Sequence, residues 1–231
     1  MARTYKQECI LAHALDLLGE RWTLLIVRDL FLGPRRFGDL QAGLQGLGTN
    51  LLSKRLKDLE DAGLIESAEE GSVRSQYKLS VSGEALRPAI KEMMMWSIDY
   101  FMSHPSPSPA RDCIKSDDLR PDSVALGVEL FANHFRDERL NYVAHLFIDD
   151  FPYTVYYMNG SMTVRRDADT PAIASISGDV STFMQGFRKE IPRKKARAYV
   201  TADGNDQAIE HLLDCIIRIA PEMATLKNAS A

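Results

Sequence analysis

The stretch GTNLLSKRLKDLEDAGLIE, residues 48–66, reads as one helix with two unlike faces. At about 100° per residue, Leu52, Leu56 and Leu59 share an edge, while Asn50, Lys54 and Lys57 lie nearly opposite. Leu51 and Ser53 sit on the flanks. The Thr49 hydroxyl is placed to cap the start by accepting from backbone N–H groups, and Gly63 to end the helix as a left-handed C′ residue. Short polar and basic side chains near a helix N-terminus suit the major groove of DNA. Asn bonds adenine bidentately, Lys reaches guanine acceptors, Ser is adaptable, and an exposed Leu meets a thymine methyl. Asp58, Glu60 and Asp61 fall toward the other end, away from the groove in the usual docking. The plain alternative is a solvated face of mixed charge.

The setting favours the first reading. Residues 9–18 carry Leu11, Leu15 and Leu18 on one side, and 21–32 are apolar on most faces, as a central core helix would be, until Gly33-Pro34 stops them. FGDLQAGL makes a short third helix, and the turn GLQGLG leads into residues 49–62. That glycine-rich turn follows a helix and not a strand, so it is no phosphate loop. Two short β segments, 64–67 and 74–79, turn around Gly71, and a long helix is expected over 81–102. Helix, helix, helix-turn-helix, β-hairpin, helix is the order of a winged helix. The last helix is apolar at Leu86, Ile90, Met93, Met94 and Phe101, and again at Met95, Trp96 and Ile98. One face covers the core; the other needs a partner, since a stripe of this size is rarely left in water. A homodimer would set two such helices about one DNA turn apart, roughly 34 Å, on a near-palindromic double-stranded site.

Residues 8–102 resemble the HxlR family of bacterial winged-helix regulators. The likeness rests on Cys9, on LLGERW ending at Trp22, on RRFGDL, LLSKRLKDLEDAGL and QYKLSVSGEAL, and on the late Trp96. It implies a dimer that binds near promoters through residues 49–57, with Arg36 and the wing on backbone phosphates. The wing here reads SVRSQY, with Arg74 as the matching cation and Glu69 and Glu70 near its tip. The resemblance also makes Cys9 a redox candidate. Its neighbours, Glu8 and Ile10 with Lys6 the nearest cation, favour a buried, inert thiol instead.

Composition sets the bounds. With 231 residues, 45% of them apolar, the chain can bury one large core or two modest ones. The net charge is −4, with 13 Lys and Arg against 14 acids up to residue 103 and 15 against 18 beyond. Any phosphate contact therefore depends on local clustering. Cys9, Cys113 and Cys215 are far apart, which argues against a disulfide scaffold or a metal site. The N-terminus has no signal-peptide pattern and no run of about 18 apolar residues exists. A soluble, cytoplasmic protein without membrane insertion, metal or cofactor is expected. The five histidines do not cluster at ligand spacing, and no catalytic constellation appears, so the chain is not read as an enzyme.

SHPSPSPARDCIKSDD, with alternating prolines, reads as an extended linker over 104–118 between domains 1–103 and 119–231. The second domain begins with a helix near 122–135 carrying Val124, Val128, Phe131 and Phe135. Strand-like runs follow, with Asn159-Gly160 as a hairpin turn, then helices near 179–190 and 209–217. This is an α+β layer with an antiparallel sheet and covering helices. YTVYYM is apolar on both alternations, so both sheet faces are covered, or one lines a cavity; plain core is the equal alternative. Residues 122–219 resemble the sterol carrier protein fold. That resemblance implies a hydrophobic small-molecule effector, with Phe131, Phe135, Phe147, Tyr156, Phe183 and Phe187 as the pocket lining. The function expected is a dimeric, sequence-specific transcriptional regulator. The alternative is a lipid carrier whose winged helix is a protein-interaction module.

Overall fold

Leu52, Leu56 and Leu59 are buried almost completely, and the first half of the chain is assembled around them. The computed structural model describes residues 4–68, 76–103, 119–167 and 169–217, with only the backbone at Asp99 and at 101–103. The wing tip with Glu69, Glu70, Gly71 and Arg74, the linker 104–118 with Cys113, and the Phe101 side chain lie outside those residues. Contacts divide the chain into two units between residues 93 and 94.

The first unit runs α1 (Ile10–Leu18), α2 (Thr23–Leu30), β1 (Arg35–Arg36), α3 (Phe37–Gly43), α4 (Thr49–Asp61), β2 (Ile65–Ala68), β3 (Gln76–Leu79) and α5 (Val81–Glu84). It ends in α6 (Arg87–Ser103), the later part of which counts with the second unit. Gly33, at φ 118°, turns the chain out of α2. Gly63, at φ 68°, ends α4, with the Leu64 N–H reaching the Leu59 carbonyl at 2.9 Å and the Gly63 N–H the Glu60 carbonyl at 2.9 Å. Only a residue without a Cβ takes that backbone at no steric cost.

Three local expectations are corrected. Gly48, not Thr49, holds the N-cap of α4, its carbonyl accepting from Leu51 and Leu52; Thr49 is the first helical residue. The wing is three-stranded, in the order β1-β3-β2, because Arg35 and Arg36 pair with Tyr77 and Gln76. The long helix expected over 81–102 is broken between Glu84 and Arg87. Pro88 has no N–H to give and its ring crowds the preceding turn, so the helix restarts with Pro88 in its first turn.

Three polar clamps set the orientation of these helices. Position 55 lies three residues after Leu52 and four before Leu59, on the buried edge of α4. Its guanidinium, with a side chain only 9% exposed, donates to Glu20 at 2.6 Å and to Asp58 at 2.9 Å, tying α4 to the corner between α1 and α2. Arg87 donates to the Phe31 carbonyl at 2.7 Å and lies 4.4 Å from the centre of the Phe31 ring, which fastens the start of α6 to the end of α2. The Ser80 hydroxyl donates to the Gly63 carbonyl and accepts from the Gly83 N–H, joining the end of α4 to α5.

The second unit contains α7 (Pro121–Ala132), β4 (Tyr142–Ile148), β5 (Phe151–Met158), β6 (Ser161–Arg165), β7 (Ala174–Gly178), α8 (Val180–Phe187), β8 (Thr201–Gly204) and α9 (Asp206–Ile217). Its sheet runs β6-β5-β4-β7-β8, with β4 and β7 parallel and the other pairs antiparallel. Asn159 and Gly160, at φ 51° and 75°, turn β5 into β6. One sheet face meets the helices. There the Tyr153 hydroxyl donates to Asp122 at 2.7 Å, Glu129 accepts the Val164 N–H at 2.9 Å, and Tyr142 bonds His211 at 2.7 Å. The other face is crossed by the connection from β6 to β7, which holds Thr154 through Asp167 and both His145 and Tyr156 through Thr170. Buried charges on α7 are thus all hydrogen-bonded, as burial requires. α7 is buried nearly all round, not along a single stripe.

Two outcomes follow for stability. A Cβ on Gly83 would stand 2.0 Å from the Leu64 carbonyl oxygen. Gly83→Ala should therefore destabilise by about 3 kcal/mol in urea unfolding, although helix propensity alone would stabilise by about 1 kcal/mol. The sign decides which effect rules. Arg55→Ala should cost about 2 kcal/mol and Glu20→Gln less than about 1 kcal/mol, because Glu20 and Asp58 are half exposed and regain water.

Candidate nucleic-acid interface

With its leucine edge buried and Arg55 clamped, α4 has one rotation available, and that rotation turns Asn50, Leu51, Ser53, Lys54 and Lys57 outward. All five are exposed, as are Thr49 and Arg36. The helix carries cations on its outer face, while its acids are largely engaged elsewhere. Asp58 is held by Arg55, and Glu60 accepts from the Ser67 hydroxyl at 2.6 Å. Lys54 and Lys57 therefore lie on the outer face of the helix without an opposing carboxylate bonded to them among the described residues. The helix N-terminus adds unsatisfied N–H groups, a second feature favourable to phosphate.

Arg36 sits in β1 opposite Gln76, the first described residue after the wing tip, so the two-residue strand brings it to the base of the wing. Lys78 on β3 is paired with Glu66 on β2 at 3.1 Å. Arg74 is outside the described residues. Sequence reasoning missed Arg55 and Glu20, which touch no proposed ligand but fix where the outer face points. The signal was available, since position 55 falls on the leucine edge and a buried charge there demands a partner.

The six aromatic residues expected to line an apolar pocket fall in different layers of the second unit. Phe131 and Phe187 meet at 5.1 Å between ring centres, and Phe183 is fully buried in the same helix layer. A Cβ on Gly127 would come within 3.1 Å of the Phe187 ring, and one on Gly178 within 3.1 Å of Phe183, so these rings fill the space beside both glycines. Phe147 and Tyr156 pair with Pro152 and Val143 on the opposite face of the sheet. Phe147 borders an open hollow with Asp149, Asp150, Ser177, Gly178, Asp179 and Thr201, a polar lining. The alternation of β4 and β5 separates the six aromatic residues, so they do not converge on one cavity. Phe135 is half-buried at the end of α7.

The expectation of a buried Cys9 is also corrected: Cys9 is exposed at the start of α1, because only Ala12 of that helix is buried. Cys215 is buried in α9, and burial, with the charge of Asp214, pushes its thiol pKa up, so it stays protonated and inert.

No helix among the described residues is long and apolar enough to cross a membrane. Comparison with known proteins gives the same part of the chain as the geometry does. The profile of the HxlR-like helix-turn-helix matches residues 17–105. An uncharacterised HTH-type transcriptional regulator of Mycobacterium tuberculosis is 36% identical over 132 residues, which are 54% of this chain and 82% of that protein. The HTH-type transcriptional regulator YvaP of Bacillus subtilis is 38% identical over 89 residues, 38% of this chain and 82% of the relative. YodB of the same species is 35% identical over 86 residues, 36% and 77% respectively. A winged helix with a clamped, outward-facing α4, matched by profile and by relatives covered over most of their length, places this chain in the HxlR-like family of helix-turn-helix transcriptional regulators.

Proposed function

We propose that the protein is a dimeric, sequence-specific DNA-binding regulator that reads the major groove with Asn50, Leu51, Ser53, Lys54 and Lys57, while Thr49, Arg36 and Arg74 contact the backbone. The observation that carries this is the exposed row on α4, held to one orientation by a buried leucine edge and the Arg55 clamp. Asn50 and Lys54 are four residues apart, one above the other on the same face, which suits two adjacent base pairs.

The dimer is supported by apolar surface that a monomer would leave wet. On α1, Ile10 is 90% exposed and Leu11 66%, with Leu15 and Leu17 also outward. On α6, Met93, Trp96 and Tyr100 form an exposed row, Trp96 stacking on Tyr100 at 5.3 Å. A second copy covering these residues gives the two-fold symmetry that a near-palindromic site mirrors. In the second unit, helix-on-sheet layering supports the expected likeness to the sterol carrier protein fold. The aromatic lining for an apolar effector is not part of the reading. Cys9, exposed at the start of α1, is the described thiol that an oxidant reaches.

Selection of bound duplexes from a random pool tests the reading directly. The unsubstituted protein should enrich a site with two-fold symmetry. Lys54→Ala with Lys57→Ala should then weaken binding and make the salt dependence shallower by about 2 in log–log slope, whereas Asn50→Ala should cost about 1–3 kcal/mol at one base pair and relax the preference there. Failure to enrich any sequence would remove the proposal. For the dimer, Leu11→Asp with Leu15→Asp should yield a monomer by light scattering; an unchanged dimer would take α1 out of the interface.

A further inference from the structure

Beyond the winged helix, one short segment of the second unit concentrates positive charge. Residues 188–197, RKEIPRKKAR, hold six Lys and Arg and one acid. Residues 104–231 hold 15 Lys and Arg against 18 acids, so the rest of that half has nine cations against 17 acids. The charge is segregated, and the structure shows how the segment is built to present it.

The arginines hold the segment in place. Arg193 bonds Asp214, and the Glu210 carboxylate at 2.6 Å, both on α9; Arg197 pairs with Asp206 at the start of that helix. Ile191 and Ala196 are buried, which fixes the short 3-10 turn between them on the body of the domain. The lysines are left outside this arrangement: Lys189, Lys194 and Lys195 are exposed, and among the described residues no carboxylate lies within ion-pair distance of any of them. Lys189 also occupies the left-handed position that ends α8, at φ 61°. There its N–H reaches the Gly186 carbonyl and the Glu190 N–H that of Gln185, each at 2.9 Å. Glycine suits that position better, by about 1 kcal/mol. A lysine there adds charge at the expense of local backbone energy.

We propose that Lys189, Lys194 and Lys195 form an accessory phosphate-contact surface for the backbone of duplex DNA. This rests on the reading of α4 as a DNA-binding helix. The second domain is covalently tied to that helix, so its local concentration at the duplex is high. With a net acidic remainder, the domain meets phosphate most favourably through this segment. Contacts of this kind carry no sequence information and add affinity alike to all sequences.

The test uses the full chain with Lys189→Asn, Lys194→Gln and Lys195→Gln, Asn being chosen because it tolerates the left-handed backbone. Binding is measured against salt on a selected duplex and on a scrambled duplex of equal length, with thermal unfolding to confirm an unchanged fold. The log–log slope should become shallower by about 3, equally on both duplexes, with the preference between them unchanged. If that variant keeps the original slope while Lys54→Ala with Lys57→Ala loses the selected site, the accessory surface is wrong and the α4 reading stands. If only the Lys189, Lys194 and Lys195 variant loses affinity, the α4 reading falls and the accessory role falls with it, these lysines then being the primary phosphate contact. If no duplex is bound by the unsubstituted chain, both fall.

Discussion

The placement of Arg55 governs the first half of this molecule. Three leucines alone would hold α4 against the core, yet an apolar edge tolerates some rotation and sliding. A guanidinium buried among them does not, because it must keep its bonds to Glu20 and Asp58 or lie unpaired in a low-dielectric interior. The clamp therefore defines an angle, and the angle decides which side chains meet solvent. It also takes up the charge of Asp58, which would otherwise oppose the neighbouring Lys57 and Lys54.

The two halves use charge in opposite ways. In the first, cations on the outer face of α4 have no bonded carboxylate among the described residues, and buried polar groups are fastened by short, local clamps. In the second, buried Asp122 and Glu129 on α7 accept bonds from Tyr153 and from the backbone of β6, making a polar seam inside the domain. Helix and sheet there are packed through aromatic rings resting on glycines, Phe187 beside Gly127 and Phe183 beside Gly178.

Much of the first half was legible because its signals are local. The leucine spacing, Gly63, and Gly33-Pro34 each act within a turn or two, and they mark the elements found. The break before α6 was written in Pro88 but was outweighed by a continuous apolar pattern. β1 could not be read, since two residues show no alternation, and they become a strand only because β3 passes beside them. Where the six aromatic residues fall was hidden for a related reason. Period-two alternation says that Phe147 and Tyr156 share a face with their like-numbered neighbours, but only the strand register says that this face is turned away from α7 and α8. The burial of α7 on all sides depends equally on contacts that sequence spacing does not encode.

The central claim is that the outer face of α4 lies in the groove. Lysine acetylation at low extent, read residue by residue with and without a selected duplex, measures this without substituting any residue. The account predicts that Lys54 and Lys57 become unreactive in the complex while Lys6, exposed before α1, reacts as in the free protein. Lys54 and Lys57 remaining fully reactive in a saturated complex would contradict it.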